Sequence, residues 1–148
     1  MASSQLIFVK GKEKALDALF NGSSTDKPAF GYLAIGYSDD IGFVDPGLEE
    51  DSTQFVENNF NEIEGSERLI LTKATDSPVT IDTETGKVTV RYQAVLETGN
   101  INNQNINQIA VINNEEKTDT DQIYSATSFQ TFYKTNQTSL TFVIAFQL

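Results

Sequence analysis

Segment 87–97 constrains the fold more than any other part of the chain. Val88, Val90, Tyr92, Ala94 and Leu96 alternate with Thr89, Arg91, Gln93, Val95 and Glu97, the period-two pattern of a strand with one dry face. Such a face must lie against a second layer. Thr85-Gly86 supplies the tight turn before it. Segments 30–37, 67–73, 78–82, 109–112, 123–133 and 140–148 read as further strands, separated by turn residues. Tyr32, Ala34 and Gly36 on one face and Leu33, Ile35 and Tyr37 on the other predict that 30–37 is buried on both sides and central. In the last segment Leu140, Phe142, Ile144, Phe146 and Leu148 share one face, and with 123–133 it reads as a closing hairpin across Thr135-Asn136-Gln137.

Only one helix is predicted. Leu16, Leu19 and Phe20 fall on one helical face and Asn21-Gly22 provides a stop, so a short helix of two to three turns should end there. A short apolar run at 6–9 precedes it, which places an N-terminal strand and helix within 5–21. With seven or eight short strands and no helices between them, the expectation is a mainly β chain, an antiparallel, jelly-roll-like β-sandwich. The 148 residues make one domain, 1–148, with a single core. Segment 38–66 is the exception to the strand pattern: a long Gly, Pro, Asn and acidic stretch, read as a variable loop that wraps or binds something. The Asn-rich segment 98–107 reads as a polar connector leading into Ile109.

Composition narrows the chemistry. Ten Lys and Arg against 21 Asp and Glu give a net charge of −11, which repels phosphate backbones and argues against nucleic acid as a partner. No Cys is present, so thiolate catalysis and zinc thiolate sites are excluded; no His is present either, which removes the usual general base and the commonest nitrogen ligand. No apolar run approaches the roughly 20 residues that cross a bilayer as a helix. The expectation is a protein that is not an enzyme, that needs no cofactor, and that neither reads nucleic acid nor enters a membrane.

Candidate binding residues fall in three groups. Lys10, Lys12 and Lys14 form a local positive patch on an acidic chain, suited either to solvation at a helix start or to docking on an acidic surface. Asp39 and Asp40, with Asp45, could ligate a hard cation, but their spacing matches no calcium loop, and solvated loop carboxylates are the plainer reading. In the same long loop Phe43, Phe55 and Phe60 are spaced as apolar anchors for a partner. Asn102, Asn103 and Asn105 belong to a polar tract equally suited to recognition and to satisfying its own backbone.

The order of several motifs resembles a known family. "YLAIGYSDD" at 32–40, "FNEIEGSERLIL" at 60–71, "NQIAVINN" at 107–114 and "YSATSFQTFYKTNQTSLTFVIAFQL" at 124–148 together are similar to small tailed-bacteriophage virion proteins and fibre-attachment modules. That family carries a Tyr-x-Ala-x-Gly strand, matched by Tyr32, Ala34 and Gly36; a loop with an acidic residue and an arginine, matched by Glu62 and Arg68; an Ile-x-x-Ile-Gly-hydrophobic-hydrophobic-Asn strand, matched by Ile109 to Asn113; and a lysine at a closing hairpin, matched by Lys134. The chain departs from it at Ala110, where the family has Gly, and in the longer interval between Glu62 and Arg68. The resemblance implies assembly through protein contacts, in symmetric copies on a virion put together in the host bacterial cytoplasm. It implies a capsid decoration or auxiliary role first and a tail, baseplate or fibre adaptor second; a carbohydrate-binding module using exposed Tyr and Phe is a third reading from composition.

Overall fold

The computed structural model describes residues 9–20, 30–39, 60–117 and 123–148. It contains one helix, α1 (Val9–Phe20), and strands β1 (Tyr32–Gly36), β2 (Leu69–Ile70), β3 (Thr72–Lys73), β4 (Val79–Ile81), β5 (Val88–Leu96), β6 (Gln104–Ile112), β7 (Ile123–Lys134) and β8 (Leu140–Gln147). They form two antiparallel sheets, as expected of a β-sandwich. The first has the order β2-β1-β6-β7. In the second, β5 is central: β8 pairs along one edge, and β4 and β3 occupy successive stretches of the other.

The alternation in β5 does what its sequence requires. Val88, Val90, Tyr92, Ala94 and Leu96 are buried, facing Leu33, Ile35, Ile109 and Val111 of the first sheet. Each fully buried aliphatic or aromatic side chain of this kind contributes roughly 1.5–3 kcal/mol. The β1 strand is central as predicted. Its second face, at Ala34, packs against Phe60, Ala110 and Ile112 in a separate apolar cluster.

One end of the sandwich is closed by α1. Leu16 and Phe20 are buried on the helical face read from the sequence. Phe20 stacks on Phe146, with ring centroids 3.7 Å apart, and meets Tyr124 edge-on at 4.8 Å. The polar side of the helix is clamped as well. Lys73 Nζ bonds Glu13 Oε1 at 2.6 Å and lies 3.1 Å from Asp17 Oδ2, while the Tyr92 hydroxyl donates to Asp17 Oδ1 at 2.8 Å.

Three predicted elements are corrected. Segment 67–73 is not one strand: Leu69–Ile70 pairs with β1 and Thr72–Lys73 with β5, so the chain changes sheets around the fully buried Leu71. The Asn-rich segment is not a loop to its end, because β6 begins at Gln104 and is buried from Ile106 onward. Strand propensity disfavours Asn, yet buried amides are tolerated where loops supply hydrogen-bond partners. Finally, β7 and β8 are not a paired hairpin. The turn at 135–139 carries the chain from the first sheet to the second, and β8 pairs with β5.

Candidate interaction surfaces

Segment 60–68, which takes in the end of the predicted 38–66 loop and the start of the predicted strand after it, is tied to the end of β1. Tyr37 N donates to Asn61 O and Ile63 N to Ile35 O, each at 3.0 Å, and Glu62 forms a bridge with Gly36. The approach leaves no room for a side chain at Gly36. A Cβ there would lie 2.5 Å from the Asn61 carbonyl oxygen.

From this segment Glu62 accepts two bonds from Arg68, Nε to Oε2 at 2.9 Å and Nη2 to Oε1 at 2.8 Å. Arg68 Nη1 also donates to the carbonyls of Asn114 and Glu116 at 3.0 and 3.1 Å. The planar guanidinium therefore joins segment 60–68 to the connection that follows β6, using the fork geometry that lysine lacks. Beside the pair lies a cavity of about 1230 Å³ lined in part by Tyr37, Asn105, Glu64, Glu67, Glu115 and Glu116. Its carboxylates repel anions. Among the described residues no group of three or more Asp and Glu could hold a metal ion.

Two buried amides at the middle of β6 fix the start of the loop after β1. Asn107 accepts from Ser38 N at 3.0 Å and donates to Ser38 O at 2.7 Å, reproducing with its side chain the paired bonds of a β ladder. Gln108 Oε1 accepts from Asn61 N at 3.1 Å. Neither amide was among the candidate binding residues. The only signal was two amides directly before an apolar run.

Lys134, at the end of β7, is completely buried. Its Nζ donates to Thr135 O at 2.8 Å, Asn102 Oδ1 at 3.2 Å and Thr98 O at 3.5 Å. Asn103 N donates to the Lys134 carbonyl at 2.6 Å. The ammonium thus organises the turn between β5 and β6, where Ile101 and Asn103 hold φ angles of 53° and 60°. Asn tolerates that region better than a β-branched residue does, so the strain falls chiefly on Ile101.

The residues named from the sequence scatter over the molecule. Asp39 is exposed and accepts from the Tyr37 hydroxyl at 2.8 Å; that bond raises the Tyr37 pKa. Asn102 and Asn103 serve the Lys134 turn, while Asn105 is exposed on β6 near the cavity. Phe60, read as a surface anchor, is instead buried against Ala34, Ala110 and Ile112, because those small and aliphatic residues leave a pocket that its ring fills. Lys12 reaches across to Gly86 and donates to its carbonyl at 2.6 Å. Lys10 and Lys14 lie in α1, but their side chains are outside the described set, as are Asp40, Asp45, Phe43 and Phe55.

The fold and these surfaces define a mainly antiparallel β-sandwich domain with one packed helix and loops held by buried polar side chains. Neither the protein-family models nor the curated proteins nor the solved structures contain a match to this chain.

Proposed function

We propose that this chain is a structural protein of a bacteriophage virion, foremost a capsid auxiliary or decoration protein that acts through protein contacts. One observation carries the reading. The sequence elements that resemble the phage family are those whose side chains hold this domain's loops in place.

Gly36 admits the Asn61 carbonyl, and Glu62 and Arg68 join two connections. Ala34 sits directly opposite Ala110, under Phe60. Lys134 anchors the turn before β6. Arg68 donates to the backbone carbonyls of Asn114 and Glu116, and Lys134 to those of Thr98 and Thr135. Such a division of labour, a rigid scaffold with loops presented from it, suits a protein that holds surfaces together.

The test is the protein's place in purified particles of the phage that encodes it. Mass spectrometry should find it there in many copies, and antibody labelling in the electron microscope should spread over the head. Labelling confined to the tail or its fibres would replace the decoration role with an adaptor role. Absence from purified particles would overturn the reading altogether.

A further inference from the structure

We propose that the outer edge of β8 is a self-association site, at which two copies of the chain pair their β8 strands antiparallel about a two-fold axis. The inference rests on the sheet edge and stands whether or not the protein rides on a virion.

The geometry begins with the pairing of β8 to β5, which runs in unbroken register from Thr89↔Gln147 to Leu96↔Leu140. Just beyond it Val88 and Leu148 exchange both backbone bonds, at 3.0 and 2.9 Å. Bonded pairs alternate along an antiparallel ladder, so Phe146, Ile144, Phe142 and Leu140 turn their backbone groups toward β5. Thr141, Val143, Ala145 and Gln147 turn theirs to the opposite edge. No strand among the described residues pairs there.

Edges of this length are normally protected by charge, proline or a bulge. The other long edge strand, β7, is protected. Its register against β6 shifts twice, between Ile106 and Gln108 and between Val111 and Ile112, which bends the strand. By contrast β8 reads LTFVIAFQ, with no charge, no proline and no register shift. Val143 on its outer face is 56% exposed, beside the exposed Val95 of β5. A straight apolar edge of this kind is a template for another strand.

Charge selects which strand. All 21 Asp and Glu precede Ile123, and the one charged side chain after it, Lys134, is fully buried. Two copies, each at −11, repel wherever their carboxylates face one another. Neither β8 nor the length of β5 paired with it, Thr89 to Leu96, carries an Asp or Glu, so pairing at β8 sets no acidic side chain of the ladder against another, whereas a basic partner would be drawn to the acidic remainder of the surface. A two-fold axis at Ile144 places Val143 of one copy opposite Ala145 of the other, and Thr141 opposite Gln147. Every edge N–H then meets a carbonyl, and the two second sheets become one.

Sedimentation over a wide concentration range tests this, together with a charge swap. The wild-type protein should dimerise reversibly, and exchange of the Thr141, Val143, Ala145 and Gln147 amides should slow as concentration rises. The double variants Val143→Glu/Ala145→Glu and Val143→Lys/Ala145→Lys place like charges directly across the axis, and each should dimerise at least about tenfold more weakly. Their mixture should recover the dimer. Both positions face solvent, so circular dichroism should be unchanged; if either variant fails to fold, the wild-type exchange data decide alone. A wild-type protein that stays monomeric throughout would overturn the proposal. So would edge amides protected equally at all concentrations, and so would a mixture no better than its parts.

Discussion

Gly36 shows how a single position is set by a neighbour far along the chain. Replacing glycine with alanine in an extended strand normally stabilises by about 0.4–1 kcal/mol, through a less disordered unfolded chain. Here the new methyl would sit 2.5 Å from the Asn61 carbonyl oxygen and 3.0 Å from Gln108 Oε1. The first of these is backbone and cannot swing aside. Overpacking of this kind costs about 1–3 kcal/mol, so the clash wins. Gly36→Ala should lower the urea midpoint with little change in slope, and a raised midpoint would show that segment 60–68 yields easily. The sequence marks Gly36 as part of a motif but conceals the reason, since the carbonyl that needs the space belongs to Asn61. Lys134 was equally opaque. A lysine near a turn reads as exposed, and its burial depends on oxygens from Thr98 and Asn102 that no local pattern connects to it.

At the scale of elements, what was legible was what local periodicity controls. The alternation in β5 and the apolar face of α1 both appear in the structure where the sequence puts them. What failed depends on pairing at long range: the break of 67–73 between sheets, and the choice of β5 as the partner of β8. The helix is the element most open to test, because its clamp contains two groups with shifted titration. Burial, then the bond to Asp17, raises the Tyr92 pKa far above its ordinary 10.0. The bond to Glu13 leads the causes that raise Lys73 above 10.5. Both are shifts upward from the unfolded value. Their contribution is therefore complete below about pH 10 and is lost as pH rises toward the folded values, because the unfolded chain gives up these protons first. Stability should fall on the alkaline side, and Tyr92 should ionise only late in the titration. An absorbance titration of tyrosinate checks this. Tyr92→Phe should remove the late phase and weaken the helix clamp; a wild-type titration with no late phase, in a protein that remains folded, would exclude it.

For the molecule as a whole, the question is whether its charge favours or opposes folding. Two local arrangements favour it. Arg68 and Glu62 are almost completely shielded from solvent and bonded twice, so salt reaches them poorly, whereas the partly exposed Lys73 pairs are screened readily. Against them stands the net charge of −11, carried by acidic side chains that all precede Ile123. That repulsion acts between groups many ångströms apart and is the part most reduced when the screening length falls to roughly 10 Å at 0.1 M salt. Solvent-screened pairs contribute about 0–1 kcal/mol each, and the half-buried pairs of Lys73 are too few to reverse the balance. Raising sodium chloride from low ionic strength to about 0.15 M should therefore stabilise the fold by about 1 kcal/mol, a rise of about 2–4 °C in Tm for a domain of this size. Calorimetry in dilute solution, below any self-association, measures it. A Tm that falls with added salt would mean that the helix clamp outweighs the repulsion, and charge reversal at Lys73, which sets a third carboxylate beside Glu13 and Asp17, would then turn the fall into a rise.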